Sequence, residues 1–360
     1  MKKSDSITVL QLILLSMTFI GLKNHVIIIS PLIKSAGRDA WMTVVITFVL
    51  TLLWIPLLIF INKKTKGEHL FQWIRKRAGK VITNILLIII LMYLTVVQSV
   101  TLRETITWVN ITFLPNTPQL VLIASLGLVC FFMASTSLRT ISIVNVFLLF
   151  FIVLLGFFVA FTNLQVKDYS LLLPFLEHGI SPVLKSIVFQ GSGMIELLLL
   201  LFLQHKVDGR IRYKHLVITS FLLTGLTIGP LIGAIIEFGP LEASKQRFPP
   251  YEEWGLATLG MFIEHVDFLS IYQWMAGTFI RLSLFLFIMK ELLPFKKGHK
   301  WFLVGVIVVI SGITLYPMND FTYSEVVYST VLPTTFWFFL GLSLLLAVVV
   351  AWFANKKRRT

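Results

Sequence analysis

Between residues 8 and 353 the chain alternates long apolar runs with short connections rich in Lys, Arg, Gly and Pro. A helix that crosses a bilayer needs about 20 mostly apolar residues. The runs predict ten such spans: Thr8 to Ile33, Ala40 to Ile61, Val81 to Leu102, Gln119 to Ala134, Ile141 to Phe161, Pro182 to Leu203, Leu216 to Ile236, Leu269 to Leu292, Trp301 to Leu315 and Thr330 to Phe353. No soluble domain has room between them. The pattern predicts an all-α polytopic membrane protein with a single transmembrane domain over residues 1–360.

Composition agrees: 57% of the 360 residues are hydrophobic, 13% are charged and the mean hydropathy is +0.88. No single soluble core buries that much apolar surface. A net charge of +14 raises the question of nucleic acid, but the basic residues are scattered through short loops with no zinc, RRM or helix-turn-helix context. Topology accounts for them. With the N-terminus inside, inner segments carry 22 Lys and Arg and outer segments carry 6, which places both termini in the cytoplasm. The opening MKKSDS precedes an apolar stretch too long for a signal peptide and without an A-x-A site, so it reads as an uncleaved first span. The single cysteine, Cys130, allows no intrachain disulfide. The basic segment from Lys63 to Lys80 reads first as setting topology, with anionic membrane lipid or a partner's cytoplasmic domain as the alternatives. Two outer connections are expected to act as lids: Glu237 to Val266, which contains FPPYEEW, and Leu171 to Pro182, where a half-helix is expected.

Two glycine-marked positions change the picture. Gln190 precedes Gly191-Ser192-Gly193 in the middle of span six, and Gly21 lies at the matching place in span one. Spans one and six are five apart, and an odd number of crossings inverts the second half relative to the first, so residues 8–161 and 182–353 read as inverted repeats. Paired interruptions at matching positions of such repeats point to a midplane binding site. Unwound backbone is tolerated at membrane depth only where protein or a water-filled cavity satisfies it. One half-helix then offers N–H donors to a carboxylate and the other offers carbonyls to an ammonium group, which together suit a zwitterion. The plainer alternative is that the glycines serve close helix packing.

A charge at mid-bilayer costs roughly 2.5 to 3.5 kcal/mol, so each needs a partner or a task. Glu196 lies one turn past the second break, and Lys23 falls at the first, within GLKNHV. Glu196 is read as a ligand or proton group or as half of a static pair with Lys23, which in turn either takes that role or faces a ligand carboxylate. Asn24 follows as a polar contact; His25 reads as a packing residue more readily than as a relay. Arg281 in span eight must be neutralised by an acid or by carbonyls. Glu264 and Asp267 stand too far along that span to do so, and Arg103 and Glu104 point to different neighbours. The ligand site is accordingly expected to use backbone around Gly21, Leu22, Gly191 and Gly193, with Gln190 beside it. Side chains of Lys23, Asn24 and Glu196 are expected to join it, together with Thr101, Trp274 and Thr278. The chain lacks H-E-x-x-H, G-x-S-x-G and Walker A motifs, and no histidine has metal-ligand spacing. No enzyme, cofactor or metal is expected.

The segments GLKNHV, LIKSAGRDAWMTV, GSG-x-x-E and FPPYEEW leading to FIEHVDFLSIYQWMAGTFIRLSLF resemble the B subunits of spore germinant receptors over nearly the whole chain. AGRDAW (Ala36 to Trp41) and W-x-x-G-x-F-I-R-x-S (Trp274 to Ser283) are the most specific pieces. That family is similar to the amino acid, polyamine and organocation permeases, which implies a five-plus-five inverted repeat with broken first and sixth helices. It also implies a nutrient sensor of the spore inner membrane that binds a small ligand such as an amino acid and works with A and C receptor subunits. A proton- or sodium-coupled amino acid transporter or a ligand-gated channel would reuse the same pocket. Many permease relatives carry Gly-x-Gly at the first break, whereas Gly21-Leu22-Lys23 stands here, so Lys23 takes the place of part of a backbone nest.

Overall fold

The computed structural model describes residues 5–258, 265–293 and 298–354. Helices make up nearly all of it: α1 (Val9–Leu22), α2 (Ile29–Ala36), α3 (Ala40–Lys64), α4 (Leu70–Ala78), α5 (Lys80–Thr112), α6 (Gln119–Ser135), α7 (Leu138–Thr162), α8 (Ser181–Lys185), α9 (Ile187–Met194), α10 (Leu200–Leu203), α11 (Tyr213–Phe238), α12 (Pro240–Lys245), α13 (Pro249–Gly255), α14 (Leu269–Leu292), α15 (His299–Thr314), α16 (Asp320–Val326) and α17 (Leu332–Phe353). A two-residue parallel pair, β1 (Ile7–Thr8) with β2 (Val207–Asp208), ties the start of α1 to the segment after α10.

Eight helical stretches among the described residues are long and apolar enough to cross a membrane, and α6 and α15 are shorter apolar helices of 17 and 16 residues. These two coincide with the expected fourth and ninth spans. The connection after α11, expected to be an outer one, folds into the short helices α12 and α13. Residues 259–264, and Glu264 with them, lie outside the described residues. The connection before α8 holds two 3₁₀ turns, Asn163–Val166 and Tyr169–Leu172, in place of the expected half-helix.

The two proline-containing long helices show how backbone polarity is satisfied at depth. Pro230 in α11 has no N–H to give Leu226 four residues back, and His25 donates through Nδ1 to that carbonyl at 3.0 Å. Pro56 in α3 likewise frees Leu52, whose carbonyl accepts from the Tyr213 hydroxyl at 3.3 Å. His25 is therefore a backbone partner.

Buried apolar side chains form two main clusters. One joins the inner parts of α1, α3, α9, α14 and α17 near the basic end, with Leu15, Ile20, Ile195, Ile280 and Phe339. The other, with Leu22, Val26, Trp108, Leu231 and Trp274, fills the opposite half. Both chain neighbours of the boundary, Ile20 and Leu22 on α1, fall in different clusters, and the layer between them is polar.

Candidate functional site

That polar layer contains three ionised side chains that are at most 3% exposed: Lys23, Glu196 and Arg281. Arg281 grips the carboxylate with two nitrogens, Nη1 to Oε2 at 2.6 Å and Nη2 to Oε1 at 2.9 Å. Lys23 Nζ donates to Oε1 at 3.2 Å. The remaining donors reach acceptors on three helices: Lys23 to the Ser192 carbonyl at 2.8 Å, Arg281 to the Phe19 carbonyl and, through Nε, to Thr101 Oγ1 at 3.1 Å. Two cations share one anion, so a net positive charge is left to carbonyl dipoles. A bidentate guanidinium–carboxylate pair is the strongest arrangement available to such a group, and the desolvation of all three ions makes the cluster intolerant of losing any one partner.

The backbone beside the ions departs from α geometry in opposite senses. After α1 the chain widens into a π-helical turn, Lys23–Ile27, closed by Ile28 N–H to the Lys23 carbonyl at 3.1 Å. After α9 it tightens into a 3₁₀ turn, Ile195–Leu199, which contains Glu196. Such turns often mark functional positions in helices. The expected unwinding at the glycines is not found. Gly21 is α-helical in α1, and Gly191, Ser192 and Gly193 are α-helical in α9; the winding changes begin two residues further along in each case. The glycines make room instead. A Cβ on Gly193 would stand 1.7 Å from Asn24 Oδ1, one on Gly191 would stand 2.6 Å from the Phe336 ring, and one on Gly21 would stand 3.2 Å from Leu226. Close approach of helices is what small residues supply in membranes.

Above the ions lies an aromatic cap. Trp274 stacks on Trp108 with ring centroids 4.2 Å apart, and Phe248 meets Trp274 edge-on at 4.9 Å. Trp274 Nε1 donates to Thr105 Oγ1 at 3.2 Å, and Thr105 shares a 2.9 Å hydrogen bond with Thr278. Thr105 in turn donates to the Thr101 carbonyl, which links the cap to the Arg281 partner.

The structure thus gathers Lys23, Glu196 and Thr101 directly, and joins Trp274 and Thr278 through Thr105. Asn24 lies against Gly193 and donates to Met194 Sδ at 3.6 Å, and its Oδ1 has no partner among the described residues. Leu22 packs on Gly277. Gln190 and Gly191 do not join the cluster: Gln190 donates to Thr227 on α11 at 3.3 Å, and Gly191 lies under Phe336 of α17. Arg281, Thr105 and Trp108 were not among the expected site residues. Arg281 was legible, since a mid-span arginine needs an acid and Glu196 is the one acid in the middle of a predicted span.

Further out, Arg247 on the connection between α12 and α13 pairs with Asp320 of α16 and with Glu104 of α5 at 3.4 Å. Arg103 takes the Tyr316 and Met318 carbonyls at 2.6 and 2.7 Å. At the basic end an open cleft of about 670 Å³ is lined by Asp5, His69, His205, Lys206 and Glu291 among others, and none of the expected ligand residues lines it.

Long apolar helices around a buried ion cluster, with winding changes beside it, define an integral membrane protein of permease-like type. A family model described as "Spore germination protein" matches residues 6–323, and the chain belongs to that family. It is 39% identical over 94% of its length to Spore germination protein XB of Bacillus anthracis, covering 96% of that protein. It is 24% identical to Putative spore germination protein YfkT of Bacillus subtilis (73% of this chain, 72% of the relative). Spore germination protein A2 of the same organism is 22% identical over 68% of each chain. This is a family of spore germination permeases and not one of enzymes.

Proposed function

We propose that this chain is the membrane-embedded sensing subunit of a nutrient germinant receptor of the spore inner membrane, working with A and C subunits and with both termini cytoplasmic. A small amino acid-like ligand binds among Lys23, Asn24, Glu196, Thr101, Trp274 and Thr278, with backbone from Gly21, Leu22 and Gly193. The observation that carries the reading is the buried three-ion cluster at the two winding changes. Its excess positive charge attracts a carboxylate, and a ligand carboxylate that draws Lys23 away from Glu196 would bias one packing of the helices over another. The energy available is the ligand's difference in affinity for the two.

In this reading α6 and α15 also cross the bilayer, giving ten spans in a five-plus-five inverted repeat. At 1.5 Å per residue 17 residues extend about 26 Å, close to a hydrocarbon core of about 30 Å. The rival is a coupled amino acid transporter. Against it, both oxygens of Glu196 are engaged by cations, which disfavours the proton exchange that a coupling carboxylate needs. The test is reconstitution in liposomes with labelled amino acids, measuring saturable binding and accumulation under imposed proton or sodium gradients. Saturable binding that is lost in Lys23→Met, without accumulation, supports the sensor. Gradient-driven accumulation lost in Glu196→Gln makes the protein a transporter, and no binding of any amino acid overturns the ligand class.

A further inference from the structure

A second polar cluster lies where the end of α7, the end of α11 and the short helix α13 meet. Glu253 of α13 is 8% exposed, and its carboxylate rests on Gly233, where a Cβ would stand 2.7 Å from Oε2. The α11 surface is thus hollowed at one position to admit a carboxylate. Gly233 and Glu237 are four residues apart, one above the other on the same face of α11. A second carboxylate therefore stands one turn away. Asn163, wholly buried after α7, donates through Nδ2 to Glu237 Oε2 at 2.9 Å and to the Glu253 carbonyl at 2.8 Å. Those two bonds fix which end of the amide is which, and its Oδ1 is left with no partner among the described residues. Glu253 Oε1 is likewise unpartnered among them. The cation at hand, Lys167, is engaged with Glu237 at 3.6 Å and with the Ala160 carbonyl.

With both carboxyls ionised, two carboxylates and one ammonium leave one negative charge, and the two orphaned atoms are both hard oxygens. Buried polar atoms without partners call for an explanation, and an ion is one of the few available. With Lys167 offsetting one of only two carboxylates, the site carries too little negative charge for a divalent cation such as calcium, and it has no nitrogen or sulfur for a transition metal. We propose that this cluster binds a monovalent alkali cation, held by Glu253 Oε1 and Asn163 Oδ1 with Glu237 as its second countercharge, and that the ion fastens α13 onto α7 and α11. Without the ion, burial and the neighbouring Glu237 carboxylate push the Glu253 carboxyl well above the usual carboxylate range. The charged groups facing it are Glu237 from α11 and Lys167 from the segment after α7. A proton therefore competes with the cation, and raising the pH tightens cation binding.

The test is thermal unfolding of the full chain in neutral-lipid nanodiscs, with sodium or potassium chloride compared with N-methyl-D-glucamine chloride at equal ionic strength. We expect a saturable rise of about 2–4 °C with one of the alkali cations, and a half-saturating concentration that falls as pH rises. Glu253→Gln removes the charge and should abolish the rise, while Glu242→Gln, at an exposed pair on α12, should keep it. Should Glu253→Gln fold poorly, Gly233→Ala fills the hollow and should weaken the cation effect by at least tenfold in half-saturation. Equal unfolding temperatures in all three salts would overturn the proposal. So would stability that falls with rising pH yet ignores the cation, which would leave a proton as the occupant.

Discussion

Glu196 holds two cations with one carboxylate, and the consequence can be measured at each of the three residues. Replacing it with Gln leaves Lys23 and Arg281 buried with no anionic partner, only carbonyls and the Thr101 hydroxyl, and loss of one member of a desolvated ion group costs about 3–5 kcal/mol. Replacing all three with Met removes the ions together and should return stability to within about 2 kcal/mol of the native protein, because an apolar substitute of similar volume no longer needs desolvation. Ligand binding should be lost in both. Reversible unfolding in mixed micelles provides the comparison, and a triple variant no more stable than Glu196→Gln would show that packing and not charge dominates here. The Lys23–Glu196 pairing was one of two alternatives the sequence left open, since matching positions in spans one and six place both at one depth, and the structure shows the pair. The roles of Gln190 and Gly191 were not legible in the sequence. Composition marks them as unusual for a membrane helix, but which face of α9 they occupy is decided by Phe336 and Thr227, residues distant in sequence.

Among the elements, long apolar runs gave the helices and their order, while the winding inside them was hidden. Glycine reports that a helix tolerates close approach. It does not report that the backbone will widen at Lys23 or tighten at Ile195, positions whose contacts, Lys23 with Glu196 and with the Ser192 carbonyl, join segments distant in sequence. His25 and Pro230 lie 205 positions apart, yet the carbonyl that Pro230 frees at Leu226 is the one His25 takes. His25→Phe should therefore cost about 1–3 kcal/mol through an unsatisfied buried carbonyl. Pro230→Ala supplies a backbone N–H to the same atom, so it should recover most of that loss in the His25→Phe background while changing the native protein much less. A double-mutant cycle with no coupling between the two positions would assign His25 some other role.

Across the whole molecule, the closed ion cluster, the aromatic cap of Trp108, Trp274 and Phe248, and the Arg247 clamp form successive layers from the polar centre outward. The clamp joins the connection before α13 to α5 and α16, while Ser30 of α2 donates to the Gln246 carbonyl beside it at 2.8 Å. If a ligand enters from this side, Arg247 must first leave Glu104 and Asp320, so the clamp sets part of the free-energy gap between closed and open packings. Arg247→Gln should narrow that gap by about 1–2 kcal/mol, which corresponds to a five- to thirty-fold larger open population. Thr278, wholly buried under Trp274, is a suitable reporter. In a Cys130→Ser background, a Thr278→Cys chain should react with a membrane-impermeant maleimide faster by that same factor when Arg247→Gln is added, and the ligand concentration for half-maximal response should fall with it. An unchanged labelling rate would mean that the aromatic cap alone keeps the site shut, since the clamp would then carry no share of the closing energy.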